Sequence, residues 1–144
     1  MSKNTRHQNR IWALEVLYSI DLKKDFDYKN ANIECENIIR RNNLLEDNYY
    51  FKKLVLGVIE EKDNLDKYIN DKAIDWDIQR MAVIDRNILR IALYEIEAEL
   101  VPVGVAINEA VELAKEYGDD KSSSFINGIL SRTWFFFNYI INYL

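Results

Sequence analysis

Apolar residues recur at three- and four-residue spacing along most of the chain, which is the pattern of amphipathic helices. In the first such segment, residues 5–23, the apolar stripe is formed by Ile11, Leu14, Leu17 and Tyr18. No segment alternates apolar and polar residues as a half-buried strand does, and the sequence holds only four glycines and one proline. The pattern therefore predicts an all-α fold.

About seven helices are predicted from these stripes. Their approximate bounds are residues 5–23, 31–41, 46–62, 64–71, 81–99 and 103–117, and a last helix follows a loop predicted at 119–123 and continues through the C-terminal tail. The segment 25–30 is predicted to be a loop. Ile74-Asp75-Trp76 is interpreted as the junction of two helical halves, about 1–73 and 74–144, within a single domain.

Glycine, proline and serine positions indicate where helices end or meet. Pro102 suits the first turn of the helix over 103–117, and Gly118, just past the last periodic residue, is predicted to be a left-handed C-cap. One of the serines at 122–124 is predicted to cap the final helix. Gly57 interrupts a helix at a cost of about 1 kcal/mol against alanine, so we expect another helix to approach it closely.

The charge distribution divides the chain into an acidic body and a basic N-terminal arm. The total formal charge is −5, but residues 1–14 carry three bases and no acid, which leaves −8 for the remaining 130 residues. A net negative charge disfavours non-specific nucleic-acid binding, because that binding depends on neutralising phosphates. The sequence is therefore not that of a general nucleic-acid binder.

Composition also excludes several kinds of site. Cys35 is the only cysteine and His7 the only histidine, so no intramolecular disulfide can form and we expect no His-based metal site. No apolar run precedes a cleavage site, and the most apolar tail, residues 134–144, is shorter than the ~20 residues that a membrane span needs. We expect a soluble, cytoplasmic protein without a metal or other cofactor.

Four segments occur in one order across nearly the whole chain. They are Arg10-x-x-Ala13-x-x-x-Leu17-Tyr18, Asp85-x-x-Ile88-Leu89-Arg90-Ile91-Ala92-Leu93-Tyr94-Glu95, Pro102 with Val105-Ala106-Ile107-Asn108-Glu109-Ala110-Val111-Glu112-Leu113-Ala114-Lys115, and Phe125-Ile126-Asn127-Gly128-Ile129-Leu130. No segment is decisive alone, but together they resemble the transcription antitermination protein NusB family. The resemblance implies a small all-helical protein of two halves.

The resemblance also implies a non-enzymatic role in transcription. Such proteins bind boxA, a short single-stranded RNA element in the leader of ribosomal RNA transcripts, together with ribosomal protein S10 (NusE). The pair helps to build an antitermination complex on RNA polymerase. The same module occurs fused to ribosomal RNA methyltransferases, but 144 residues leave no room for a cofactor domain and show no Gly-rich fingerprint after a strand, so we expect no methyltransferase activity.

At the N-terminus the resemblance implies RNA contacts by Lys3, Arg6, His7 and Arg10. Arg6 and Arg10 are four residues apart and are predicted to share a helix face, from which guanidinium groups can reach phosphates and stack on bases. The alternative is a frayed, solvated terminus. The arm holds fewer arginines than is usual in the family, so we hypothesise that RNA binding depends strongly on S10.

A second RNA segment is implied at the start of the final helix, with Lys121, Ser122 and Phe125. A helix N-terminus suits phosphate, and an aromatic ring there can stack on a base. The alternative is an ordinary capped loop with a buried Phe125. Tyr18 is either a stacking surface or, in the interpretation we favour, a core residue whose hydroxyl reaches solvent.

The S10 surface is assigned to the acidic second half, at Trp76, Asp77, Arg80, Asp85 and Tyr94, because an acidic surface attracts a basic ribosomal protein. The alternative is that these residues serve solubility alone. The aromatic tail completes the core or forms a self-association face, since exposed apolar patches often mark interfaces. Homodimers occur in some relatives and can cover the RNA face.

Arg90, Glu109, Asn127 and Gly128 are assigned structural roles. We expect Arg90 to pair with Glu109 or Glu95, with Glu109 on the neighbouring helix as the preferred partner, because buried ions must be paired. Asn127-Gly128 is expected to admit close packing of a neighbouring helix. Two other functions stay open: a helical adaptor that binds only protein, and a small enzyme that uses the Arg90 and Glu109 cluster.

Overall fold

The computed structural model describes residues 5–45, 49–74 and 76–143, with side chains described up to Thr133. Over these residues the chain forms six α-helices and one 3₁₀ turn, Ile78–Arg80, and no strand. The helices are α1 (Arg6–Lys23), α2 (Tyr28–Arg41), α3 (Tyr50–Lys72), α4 (Val83–Glu97), α5 (Val103–Tyr117) and α6 (Ser122–Tyr143). The all-α prediction is confirmed, and the predicted bounds of α1 and α5 agree within one residue.

The helix α4 lies at the centre of the fold and is buried on all sides. Every residue from Asn87 to Leu93 is buried, as expected of a helix that packs around its whole circumference. The helices α1, α3, α5 and α6 surround it, and α2 covers α1 and α3. Two charged residues of α4, Arg90 and Glu95, are buried with it and need partners inside the protein.

Two predicted element boundaries are wrong. The helix α3 is continuous over 23 residues where the sequence pattern predicted two helices. Residues 62–64 contain no glycine or proline, and Lys62 pairs with Asp66 one turn later, at 2.9 Å, across the predicted break. The helix α2 begins inside the predicted loop, because the side chain of Asp27 caps it by accepting a hydrogen bond from the backbone N–H of Asn30.

Two glycines are required by the close approach of a side chain. A Cβ on Gly57 would overlap the ring of Tyr94 in α4, which confirms the predicted close contact of α3 with another helix. Gly118 has φ −89° and ψ −173°, so the predicted left-handed C-cap is wrong. A Cβ there would overlap the side chain of Ser122, which folds back over the end of α5.

The C-terminal tail continues α6 as a helix to Tyr143. Its side chains from residue 134 onward lie outside the described residues, and so do the roles predicted for them in the core or in self-association. Neither α6 nor any other helix in the described part of the chain is long and apolar enough to cross a membrane.

Candidate nucleic-acid interface

The first turn of α1 carries the predicted N-terminal RNA contacts. Its start is fixed by Thr5, whose hydroxyl oxygen accepts a hydrogen bond from the backbone N–H of Gln8 at 3.0 Å. The guanidinium carbons of Arg6 and Arg10 lie 3.7 and 5.8 Å from the ring centroid of Tyr50. The two arginines therefore share a helix face as predicted, but their surroundings differ.

Arg10 is buried rather than available to RNA. Its side chain is 3% exposed and donates to the Glu95 carboxylate of α4 from Nε at 3.0 Å and from Nη2 at 2.8 Å. The Tyr50 hydroxyl donates to the same carboxylate. Burial, followed by this bond, raises the pKa of Tyr50 far above its usual range. Its guanidinium neutralises a buried carboxylate, and the RNA contact predicted for Arg10 stays a prediction.

Arg6 is the exposed cation of this turn. Lys3, which precedes it, lies outside the described residues. Among the described residues Arg6 contacts the ring of Tyr50 and no carboxylate. A guanidinium stacked on an aromatic ring keeps its N–H donors at the rim and its outer face open. Arg6 thus retains the groups that phosphates and bases contact.

His7 lies between two carboxylates of α5. Its Nδ1 is 2.9 Å from Oε2 of Glu109, and its Nε2 is 2.9 Å from Oε1 of Glu116. The hydrogen bond with Glu109 is the main cause that raises the pKa of His7 above its ordinary value, with burial opposing and Glu116 adding. Glu109 also lies 3.6 Å from Nη1 of Arg10. The Glu109 carboxylate therefore lies beside both His7 and Arg10 of α1.

Arg90 pairs with Asp21 and Asp66, so the predicted pair with Glu109 is wrong. Its Nε and Nη2 donate to the two oxygens of Asp66 at 2.7 and 3.0 Å, and its Nη1 donates to Asp21 at 3.0 Å. Arg86 donates to Asp21 through two nitrogens, each at 2.7 Å. Burial acts to raise the pKa of Asp21, but these bonds hold it below its usual range.

The cluster required by the enzyme alternative does not form. Arg90 is buried among acids of α1 and α3, whereas Glu109 lies at the surface beside His7. In the part of the chain that the structure describes, no three His, Cys, Asp or Glu side chains are arranged to hold a metal ion.

The sequence pattern holds a signal for one of the missed partners. Asp21 lies four residues after Leu17, on the stripe of α1 that is buried. An acid inside a buried stripe indicates a buried ion pair. Tyr50 and Asp66 give no comparable signal, because both lie at the edge of the α3 stripe and are only partly buried.

A second candidate surface is a cavity of about 400 Å³ where α6 begins near the start of α4. Trp76, Arg80, Asp85, Lys121 and Phe125 line it. Trp76 and Phe125 pack edge to face, with ring centroids 5.9 Å apart. Residues predicted to bind RNA and residues predicted to bind S10 therefore share one cavity.

Two polar residues beside this cavity are largely buried. The Ser122 hydroxyl accepts from the backbone N–H of Asp119 at 3.0 Å and donates to the Asp119 carboxylate at 3.2 Å. It orders the start of α6, and the RNA contact predicted for its side chain stays a prediction. Asp85 is 8% exposed, and its Oδ1 has no hydrogen-bond partner among the described residues. Burial raises the pKa of Asp85, although Ser122 opposes this.

The remaining predicted contacts lie outside the cavity. Asp77 accepts a hydrogen bond from the backbone N–H of Gln79 at 3.0 Å and so caps the 3₁₀ turn. Tyr94 is partly buried against Gly57. Tyr18 is 37% exposed, so the core interpretation that the sequence favoured is wrong.

Asn127 and Gly128 do not receive a neighbouring helix. Asn127 is exposed, and its Oδ1 accepts a long hydrogen bond from Ser131 at 3.4 Å. Among the described residues, no atom outside the neighbouring turns of α6 lies within 4 Å of the place that a Cβ on Gly128 would occupy. Asn127 lines an open groove between α5 and α6 instead, opposite Asn108. The close packing predicted for this pair is therefore wrong.

The last turn of α5 joins the two candidate surfaces. The bond between His7 and Glu116 places the start of α1 beside this turn. The loop that follows carries Asp119 and Lys121 of the cavity. The N-terminal turn and the cavity thus lie on connected parts of the surface.

Known proteins resemble this chain over nearly its whole length. The NusB family model matches residues 7–134. A protein of Halothermothrix orenii named transcription antitermination protein NusB is 54% identical over 131 residues, which are 91% of this chain and 97% of that protein. The fold is similar to that of T. maritima NusB, with a TM-score of 0.76, 31% identity and coverage of 91% of each chain. It is also similar to a chain in the crystal structure of antitermination factors NusB and NusE in complex with dsRNA, with a TM-score of 0.76, 27% identity and coverage of 92% of this chain and 96% of that chain.

Proposed function

The chain belongs to the NusB family, and from this premise we propose that it is a transcription antitermination factor that binds boxA RNA of ribosomal RNA transcripts together with ribosomal protein S10 (NusE). It acts in the cytoplasm and helps to assemble an antitermination complex on RNA polymerase. The observation that carries this proposal is the 54% identity to a protein named transcription antitermination protein NusB over 97% of that protein's length. The similar fold in a complex of NusB and NusE with dsRNA supports RNA and NusE as the partners.

RNA is proposed to contact exposed cations and rings on the two connected surfaces. The guanidinium carbon of Arg6 lies over the ring of Tyr50, 3.7 Å from its centroid, and we propose that the group stacks on an unpaired base and meets phosphates through its N–H donors. At the cavity, Lys121 supplies a charge and Phe125 a ring beside Trp76. Lys3, His7 and Tyr18 complete the proposed RNA contacts.

Arg10 and Ser122 are proposed to shape the RNA surface without touching RNA. Arg10 holds the first turns of α1 against α4 through Glu95. Ser122 orders the loop that carries Lys121 through its two bonds with Asp119. Loss of either side chain is therefore expected to act on RNA binding only through the fold.

The S10 surface is proposed to adjoin the RNA at the cavity. Trp76, Arg80 and Asp85 line the same space as Lys121 and Phe125, which supports a joint site. Asp77 and Tyr94 complete the proposed S10 contacts. The formal charge of −5 suits a basic ribosomal protein, since opposite charges speed the encounter of two proteins.

The proposed mechanism is assembly rather than catalysis. RNA and S10 each hold the other near this protein, so the second contact forms at a high effective concentration. With Arg10 buried, few cations face the RNA, and the isolated protein is expected to bind RNA weakly. We also retain the division into helical halves, about 1–73 and 74–144, as part of this proposal; the 3₁₀ turn between α3 and α4 supports it.

Titration of boxA RNA with and without S10 tests the proposed function. S10 is expected to strengthen RNA binding, and Arg6→Ala to weaken it. Arg41→Ala is the matched control, because it also removes an exposed arginine, from a surface pair with Glu15 on α1 and α2. If S10 leaves the RNA affinity unchanged in both wild type and Arg6→Ala, the adaptor that binds only protein is the better description.

A further inference from the structure

The ring of His7 is hydrogen-bonded to a carboxylate at each nitrogen. The two bonds, to Glu109 and to Glu116, are both 2.9 Å long. An ionised carboxylate only accepts hydrogen bonds, so both ring nitrogens must carry a proton. This arrangement is therefore that of a charged imidazolium. We call His7, Glu109 and Glu116 the His7 bridge.

Titratable groups on three neighbouring elements lie near the His7 bridge. On α1 these are Arg6 and Arg10. Glu95 on α4 neutralises Arg10. Tyr50 on α3 stays uncharged at neutral pH, because burial and Glu95 raise its pKa. Lys3 lies outside the described residues.

The other titratable groups near the bridge, on α5 and on the outer face of α1, either pair with an opposite charge or are neutral. Glu112 pairs with Lys115 at 3.6 Å. Glu15 pairs with Arg41 of α2 at 3.2 Å. The Tyr117 hydroxyl beside Glu116 has a pKa raised by burial and by that carboxylate, so it stays protonated.

The charge of this surface depends on one proton. The remaining set consists of three cationic and three anionic side chains when His7 is charged, and they are Arg6, His7, Arg10, Glu95, Glu109 and Glu116. The set is then neutral. When His7 loses its proton, the set carries one net negative charge, because three carboxylates then accompany two arginines.

We propose that the His7 proton sets the RNA affinity of this surface: Glu109 and Glu116 repel RNA phosphates, and the charged imidazole removes part of that repulsion. This inference rests on the proposed function, because it concerns the RNA that approaches Arg6. By thermodynamic linkage the coupling is mutual, so bound RNA also holds the proton on His7 more tightly.

The direction of the pH dependence follows from the bonds of the bridge. The hydrogen bond with Glu109 raises the pKa of His7 above 6.5, with burial opposing and Glu116 adding. The charged form is complete well below that pH and is lost as pH rises through the raised pKa. RNA affinity is therefore expected to fall as pH rises through that raised pKa. A partly exposed charge interaction is worth about a two- to fivefold change.

The first measurement uses the free protein and needs no RNA. His7 is the only histidine in 144 residues, so NMR shows one set of imidazole signals. Its titration midpoint is expected above 6.5, and lower in Glu116→Gln, because a neutral amide no longer favours the cation. Glu112→Gln removes a carboxylate of the same helix outside the bridge and should change the midpoint little. A wild-type midpoint at the ordinary value overturns the inference.

The second measurement is the affinity for boxA RNA, with S10 present, at pH about 6 and about 8. Effects of pH on the RNA and on S10 are common to every variant, so differences between variants report the bridge. Wild type is expected to lose about two- to fivefold more affinity than His7→Gln between the two pH values. Glu116→Gln should bind RNA more tightly than wild type at the higher pH.

Replacing His7 with a permanently charged residue distinguishes an effect of charge on RNA affinity from an effect of disrupting the fold. His7→Arg should keep the higher affinity at pH about 8, which a structural lesion would not do. Equal pH profiles for wild type and His7→Gln overturn the coupling and leave the proposed function intact. Absence of RNA binding with S10 at both pH values overturns the proposed function, and this inference with it.

Discussion

Two buried ion networks join α1 to α4, and they differ in how they reach the surface. The Arg90 network, near the end of α1, consists of Arg90, Arg86, Asp21 and Asp66 and, among the residues that the structure describes, binds no group of the proposed RNA surface. The Arg10 network, near the start of α1, consists of Arg10, Glu95 and Tyr50, and it continues outward to Arg6 and to the His7 bridge. Both contain an arginine that is 3% exposed.

This comparison separates stability from binding. Charge alone does not mark a functional surface in this chain, because the most strongly bonded arginines are internal. What distinguishes the Arg10 network is its continuity with exposed cations. Changes in the Arg90 network should therefore act on folding alone, whereas changes around the Arg10 network should reach RNA as well.

The largest effect is expected from Arg90→Met. It leaves Asp21 and Asp66 without their shared partner, and removing one side of a buried pair costs about 3–5 kcal/mol. Urea unfolding measures the loss, and the RNA affinity of the folded fraction should not change. Lys62→Met is the control, because it removes the other cation of Asp66, at a helix surface, for about 0.5 kcal/mol or less. Equal losses for the two variants would contradict the comparison.

Arg10→Met is expected to have a smaller effect, about 3 kcal/mol, because Tyr50 still donates to Glu95. The double variant Arg10→Met/Glu95→Gln removes both charges and should recover part of the loss. RNA binding by the folded protein should keep the salt dependence of wild type. If the slope of log affinity against log salt instead becomes shallower by the amount expected for one phosphate contact, Arg10 touches RNA.

The two networks should respond to opposite ends of the pH scale. The folded-state pKa of Asp21 is lowered, so its stabilisation is present above the ordinary value of 3.8 and is lost as pH falls through the lowered pKa. The pKa of His7 is raised, so its smaller contribution, about 1 kcal/mol or less, is lost as pH rises above 6.5. The free energy of unfolding of Asp21→Asn and of His7→Gln, measured across pH, tests both contributions. If the free energy of unfolding of His7→Gln depends less on acidic pH than that of wild type, the assignment of the acid response to Asp21 is wrong.

The smallest effect is a change of salt slope in Arg6→Ala. If Arg6 meets one phosphate of single-stranded RNA, the plot of log affinity against log salt should become shallower by about 0.7. Arg41→Ala should leave the slope unchanged. Identical slopes for wild type and Arg6→Ala would remove Arg6 from the RNA surface.

Sequence patterns predict the bounds of α1 and α5 well because local chemistry marks them. Thr5 caps α1, and Pro102 immediately precedes α5. The division of α3 was predicted wrongly, because a short charged stretch resembles a loop when the pair of Lys62 and Asp66 is not recognised. Close packing was predicted correctly at Gly57 and wrongly at Gly128, because a glycine inside a helix does not by itself show whether another helix approaches it.

Most of the candidate site depends on partners that lie far apart in the chain. Arg10 and Asp21 both fall on the stripe of α1 that also holds Ala13, Leu14 and Leu17, so their burial is implicit in the spacing. Their partners are 85 and 65 residues away, at Glu95 and Arg86. No local rule selects among the acids and bases of the other helices. The sequence therefore did not indicate which charges pair with each other, although it did indicate that they are buried.

The two networks also fix the position of α1 along its own axis. They hold α1 at Arg10 and again at Asp21, eleven residues further on, which is about 16 Å of helix. A slide of one turn along α4 would break the paired bonds at both places at once, so only one register between these helices satisfies them. The point at which the chain enters α1 at Thr5 is consequently set within the protein. The alignment of the proposed RNA surface is therefore fixed by the fold of the protein itself.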